Sequence, residues 1–180
     1  MTLSPLVRPD EPMSWEQFEA LGENSLAEYI DGRLVVSPSP CRQHQRTVHR
    51  LVTALESVVP EGLAVTAGWS WKPRSDEFIP DVMVHPETAE SVRFTGSPVL
   101  VVEVLSTNRA DDLVVKTGKY AALGVSHYWV ADPTEPSLSA FTLTDAGLYT
   151  REAHLTSGAS GDVPFGGGSL LVDVDALFSQ

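Results

Sequence analysis

The sequence predicts an α/β chain of the α+β kind, with strands and helices interspersed, an N-terminal β-hairpin and additional C-terminal strands. Three observations carry this. Residues 99–106, Val-Leu-Val-Val-Glu-Val-Leu-Ser, form an apolar run between Pro98 and the polar Ser106-Thr107-Asn108, the pattern of a strand buried on both faces. Upstream, Asp31-Gly32 between Tyr29-Ile30 and Leu34-Val35-Val36 is a two-residue hairpin signal. Around the apolar run the periodicity alternates, reading helix, strand, strand, strand, helix, strand.

Taken in order, Ser14 and Gln17 form a capping box, and Trp15, Phe18 and Leu21 give a short amphipathic helix ending at Gly22, expected to lie as a lid on the core. Glu28 opens the hairpin and faces either a site or water, water being the ordinary choice for a glutamate. Ser37-Pro38-Ser39-Pro40 breaks the chain before a helix over about 44–59, whose core face is Val48, Leu51, Val52, Leu55 and Val59. His44 falls on its inward edge, as a ligand or as a satisfied, partly buried side chain. Arg42, Arg46 and Arg50 recur every fourth residue, a basic stripe that either meets phosphates or forms a solvated face.

Leu63, Val65, Ala67, Trp69 and Trp71 alternate as a half-buried strand with a bulge at Gly68. The next strand, 78–84, is interrupted by Pro80, whose missing N–H implies a bend that presents Asp81. After the central run, Asn108 and Asp111 mark a helix start, and the helix continues through Leu113, Val114, Thr117, Tyr120 and Ala121 to Gly124. A strand at 127–131 stops at Asp132-Pro133, and 138–143 with 148–155 form a hairpin. Gly166-Gly167-Gly168 is a turn before a strand at 170–172. It is not a phosphate loop, because neither a strand-loop-helix context nor a following Lys-Ser/Thr accompanies it.

At 180 residues the chain is expected to hold one domain, 14–178, after a tail over 1–13. Its 42% hydrophobic and 20% charged content are those of a soluble globular protein. No apolar run is long enough to span a bilayer and the start lacks the apolar segment of a signal peptide, so no membrane partner and a cytoplasmic location are expected. Cys41 is the only cysteine, which excludes an intrachain disulfide and a cysteine-based zinc site. The net charge of -12 opposes nonspecific attraction to nucleic acid. A nucleic-acid role must then rest on a local basic patch, with some carboxylates neutralised by metal.

Glu103 is the anomaly of the central strand, because a buried ionised carboxylate must be paired, hydrogen-bonded, protonated or metal-bound. The bland reading is a structural pair with an arginine or lysine. If the Asp81 and Glu103 strands are neighbours, however, the two carboxylates converge on one hard cation. Mg²⁺ or Mn²⁺ takes about six oxygens, which both carboxylates, a backbone carbonyl such as that of Val104, water and a substrate phosphate would fill. A nearby lysine would orient the attacking water or stabilise the charge that develops.

Pro80-Asp81 followed by Glu103-Val104-Leu105 is similar to the PD-(D/E)xK motif of the restriction-endonuclease-like nucleases. The wider ordered series resembles the Uma family of proposed restriction endonucleases: Glu28-Tyr29-Ile30-Asp31-Gly32, His44-Gln45, Pro80-Asp81, Glu103-Val104-Leu105-Ser106, Asp112-Leu113 with Lys116 and Tyr120, and Gly124-Val125 leading to Tyr128-Trp129-Val130-Ala131-Asp132-Pro133. This covers most of the chain from Ser14 to Phe178. The resemblance implies a mixed sheet flanked by helices and a Mg- or Mn-dependent phosphodiesterase, first of all a DNA endonuclease. Asp81 and Glu103 would be its metal ligands, with Glu28, His44 and Tyr120 around them.

One departure is plain, since the motif's lysine position is Leu105 here. In the resembling family the lysine comes from the following helix, which points to Lys116 and leaves Leu105 for the core. The alternative for Lys116 is an exposed i, i+4 pair with Asp112, worth a few tenths of a kcal/mol. A homodimer would give one active site to each strand of a duplex. The competing function is a non-catalytic module of the same fold that binds nucleic acid or a protein.

Overall fold

The computed structural model describes residues 12–22, 27–37, 39–106 and 110–179, with the backbone alone over 110–112. In chain order the elements are α1 (Trp15–Glu19), β1 (Ala27–Ile30), β2 (Arg33–Val36), α2 (Arg42–Glu56), β3 (Leu63–Thr66), β4 (Val82–Pro86), β5 (Leu100–Val104), α3 (Ala110–Ala122), β6 (His127–Asp132), β7 (Ser137–Leu143), β8 (Tyr149–Thr156), β9 (Ser160–Pro164), β10 (Ser169–Asp173) and α4 (Val174–Phe178). Six of the strands form one mixed sheet in the order β3-β4-β5-β6-β7-β8, and β1-β2 and β9-β10 are separate hairpins. Within the six-stranded sheet only β5 and β6 run parallel. Parallel neighbours need a crossover, which α3 supplies.

β5 is buried throughout because helices cover both of its faces. Leu100, Val102 and Val104 meet Val48, Leu51 and Leu55 of α2 in the larger apolar core. Val101 points the other way, into a second core with Met83, Tyr120 and Tyr128. Period-two alternation therefore carries Glu103 onto the α3 face.

The N-terminal capping box forms as predicted. The Gln17 N–H donates to the Ser14 hydroxyl at 3.3 Å and the Ser14 N–H to the Gln17 side-chain oxygen at 2.9 Å. Phe18 does not lie on the main core, however, but joins Ala27, Tyr29 and Leu34 in a small cluster beside the hairpin. The β1–β2 turn has Asp31 at φ 52 and Gly32 at φ 73, the two left-handed residues that Asp-Gly supplies.

Two expected strands are shorter than their patterns. β3 ends at Thr66 because Gly68, at φ 59, turns the chain out of the ladder; Trp71 then makes isolated bridges with Phe78 and Phe94. β4 begins only at Val82, since Pro80 has no N–H to give and its carbonyl instead accepts the Gly68 N–H at 3.2 Å. β9 and α4 were not expected. Ser160-Gly161-Asp162 lacks β-branched alternation, whereas α4 carries a readable cap, Asp173 accepting the Ala176 N–H at 2.8 Å. Gly124 ends α3 at φ 78; the expected start at Asn108 and the side chains of Asp111 and Asp112 lie outside the described residues. Among the described residues no helix is long and apolar enough to cross a membrane.

Candidate active site

β4 and β5 pair antiparallel with Val82 opposite Val102, and one step along that register sets Asp81 opposite Glu103. Asp81 sits at the bend that Pro80 creates, where β4 has not yet begun. Its Oδ2 accepts the Val104 N–H at 2.8 Å, so a side chain serves β5 where the neighbouring backbone has bent away. The His44 Nε2 lies 3.2 Å from the same oxygen. His44 is buried on the first turn of α2, so helix and strand together fix the Asp81 carboxylate.

Glu103 meets a different set. Its Oε1 accepts from the Tyr120 hydroxyl at 2.7 Å and lies 3.5 Å from the Lys116 Nζ. Lys116 and Tyr120 are four residues apart on α3, one turn, so a single face of that helix delivers both. The Lys116 ammonium also lies 2.9 Å from Glu28 Oε1, and that oxygen accepts the Ile79 N–H at 2.7 Å. Lys116 is only 2% exposed, which decides against a solvated helix-surface lysine.

Burial pushes the Glu103 carboxyl up to about 7; the Lys116 charge opposes this, while the Asp81 and Glu28 carboxylates add to it. Burial, then the Glu103 charge, holds the Tyr120 hydroxyl well above its ordinary range, so it remains a donor. Tyr120→Phe should remove a bond that favours the Glu103 carboxylate and so move its titration further upward. A pH series of Mn²⁺ calorimetry checks this, and an unchanged midpoint would contradict it.

The structure thus gathers Glu28, His44, Asp81, Glu103, Lys116 and Tyr120 at one end of the sheet. Glu28 faces this cluster and not water, because β1 is pinned there by reciprocal backbone bonds between Tyr29 and Glu77 at 2.9 and 2.8 Å. Leu105, expected in the core, is half-buried: it lies one residue past β5, at the sheet's end, though its N–H still reaches Ala131 O at 2.8 Å. Arg50 donates to the carbonyls of Leu177, at 3.0 Å, and Ser179, whereas Arg42 is exposed.

Sequence reasoning overlooked Asp76. It accepts the Asp31 N–H at 3.1 Å and the Lys119 ammonium at 2.9 Å, and Lys119 pairs with Asp31 as well. This latch ties the hairpin bearing Glu28 to the helix bearing Lys116. Nothing in the aperiodic Arg74-Ser75-Asp76 stretch connects it with a turn so distant in sequence.

The donor chemistry fits a hard divalent cation. Asp81 and Glu103 offer carboxylate oxygens close enough for Asp81 to raise the Glu103 pKa, and a cation would relieve that repulsion. Glu28 Oε2 is buried without a hydrogen-bond partner. Among the described residues no three His, Cys, Asp or Glu side chains gather into a protein-only metal cage. Water and phosphate oxygens would complete the shell, as suits Mg²⁺ or Mn²⁺.

A protein family described as "Uma2: Putative restriction endonuclease" matches residues 15–168. The chain belongs to the Uma2 family. The match runs from α1 to the turn before β10 and so includes all six clustered residues of this Uma2 chain. Among solved structures it is similar to the crystal structure of a "putative nuclease belonging to DUF820" from Anabaena variabilis, with a TM-score of 0.76 at 22% identity, covering 93% of this chain and 98% of that one. At that identity the likeness is one of fold, and the fold is the restriction-endonuclease-like mixed sheet flanked by helices. No curated protein matches this Uma2 chain.

Proposed function

We propose that this Uma2 chain is a metal-dependent phosphodiesterase, and within that class a DNA endonuclease, with Asp81 and Glu103 as ligands of Mg²⁺ or Mn²⁺ and Lys116 as the assisting cation. One observation carries the reading. The motif's usual lysine position is Leu105, yet an ammonium reaches the same glutamate from α3, 3.5 Å from Glu103 Oε1. Family membership supports the nuclease class and the use of a divalent metal.

A bound divalent ion would polarise a phosphoryl oxygen and lower the pKa of its water. Asp81, oriented by His44 and the Val104 N–H, would present a fixed carboxylate to it, and the Val104 carbonyl would offer a backbone oxygen. Glu103 must shed its proton to act as a ligand, and Lys116 favours that loss. The Lys116 ammonium, held by Glu28, then orients the attacking water or stabilises charge on the phosphate. In the hydrolysis the water oxygen gives up a proton and bonds to phosphorus, the bond to the departing sugar oxygen breaks, and that oxygen takes up a proton.

Mn²⁺ titration of the wild type and of Asp81→Ala, followed by a nuclease assay on DNA, tests the reading. Cleavage that requires metal and disappears in Asp81→Ala is expected; cleavage at the wild-type rate by Asp81→Ala would overturn it.

pH gives a second test. Metal binding displaces the Glu103 proton, so Mn²⁺ affinity should fall as the pH drops below about 7. For the metal-free chain the sign is fixed by the raised folded pKa. The stability from this group is fully present below the ordinary value of 4.5 and is lost as pH rises through about 7. Thermal melts across that window should show the loss, and Mn²⁺ should reverse it at the upper end. A metal-free melt equally stable at both ends in the wild type and in Glu103→Gln would contradict the assignment.

A further inference from the structure

We infer that the outward ridge of α2, led by Arg42 and Arg46 with His49 behind them, is the track along which the phosphodiester backbone of a nucleic acid lies as it enters the site. This rests on the phosphodiesterase reading for its choice of polyanion. The chain has 12 Lys and Arg against 24 Asp and Glu, yet α2 carries three arginines and no carboxylate before Glu56. Two of those arginines are uncommitted. Arg50 is bound to the carbonyls of Leu177 and Ser179, but among the described residues Arg42 and Arg46 have no ion-pair partner.

Their position is also electrostatically awkward. Arg42 opens the helix and Arg46 lies one turn in, where the positive end of the dipole disfavours cations and favours anions. A first turn without a single acid is poor design for an isolated helix and good design for a surface that meets phosphate.

The ridge starts at the site. Gln43, beside Arg42, donates to Pro133 O at 2.6 Å, and His44 reaches Asp81, so the first turn of α2 is anchored at the carboxylate end of the sheet. Arg42 and Arg46 line open clefts on both flanks of the helix, one shared with Phe178 and Ser179 and the other with Gln45 and His49. A small anion would call for enclosed donors, and neither arginine is buried. Donors at 42, 46 and 49 run in a line along one helix face instead, which matches a linear array of phosphates. Phosphate contacts of this kind fix the position of the strand and carry no sequence information.

The test measures binding of the full chain, in EDTA, to a short fluorescent DNA duplex and to an RNA duplex of the same sequence, by anisotropy over a range of salt. Arg42→Gln/Arg46→Gln is compared with the wild type and with Arg151→Gln, an exposed arginine of β8. The double variant should bind roughly 10-fold or more weakly, with a log-log salt slope smaller by about 2, while Arg151→Gln binds as the wild type and all three melt alike. Loss on either duplex supports the track, and the two arms show which backbone it accepts. A double variant with wild-type affinity and slope overturns it, as does a wild type that binds neither duplex at low salt. The nuclease reading fails separately. If the double variant loses binding but the wild type hydrolyses no DNA with Mn²⁺, the track stands and the catalytic assignment falls.

Discussion

Asp81→Asn and Glu103→Gln are each expected to abolish hydrolysis while leaving the chain folded. On the proposed reading each removes one of two anionic metal ligands, and the loss of several kcal/mol of charge stabilisation corresponds to roughly 10³-fold or more in rate. The fold should survive because the local bonds can be kept. An asparagine oxygen still accepts the Val104 N–H that Asp81 accepts at 2.8 Å, and a glutamine oxygen still accepts from the Tyr120 hydroxyl. Glu103→Gln also removes a buried charge that Asp81 and Glu28 repel, while Lys116 keeps its shorter contact, 2.9 Å, with Glu28. Above about pH 7 the metal-free Glu103→Gln chain should therefore melt no lower than the wild type, and it should lose the stabilisation by Mn²⁺. Variants that collapse in a thermal melt while still binding Mn²⁺ would show that these acids hold the fold together and do not serve a metal.

The central frame of the fold was legible because it is written in local periodicity. Apolar continuity from Val99 to Val104 identified β5, Asp31-Gly32 the hairpin, and Pro80 the bend that leaves Asp81 free of the ladder. What periodicity cannot supply is the partner of a residue distant in sequence. Glu28 looked like a hairpin-edge glutamate because its environment comes from α3 and from the Ile79 N–H, neither of which neighbours it in sequence. The Asp76 latch was invisible for the same reason. Lys116 is the mixed case: its helix was readable, and its spacing from Asp112 suggested a surface pair. Only the resemblance of the whole series pointed inward, and its burial against two glutamates is a tertiary fact. The C-terminal hairpin was half legible, since Leu170 and Val172 alternate and Ser160-Gly161-Asp162 does not.

Lys116→Ala is expected to cut turnover by roughly 10²-fold or more, the scale on which one charge-stabilising or proton-handling group acts. At a pH where Glu103 is ionised in both proteins, Mn²⁺ affinity should change by only a few-fold, since an ammonium is not a ligand. The structure adds a cost that an exposed lysine would not have. Lys116 is buried between Glu28 and Glu103, so its removal leaves two buried carboxylates uncompensated, and breaking such a pair costs about 3–5 kcal/mol. The loss should be smallest at low pH, where the carboxyls protonate. Lys116→Arg should not rescue turnover, because a planar guanidinium is bulkier and differently directed in a space already bounded by Tyr120 and Glu28. Glu28→Gln/Lys116→Met separates the two roles, since it removes the charges together. It should regain most of the stability lost in Lys116→Ala, because a buried pair can be exchanged for uncharged side chains at little cost, and it should remain as inactive. If the double variant regains both stability and cleavage, Lys116 is only a buried counterion to the glutamates, and the catalytic lysine must be sought elsewhere.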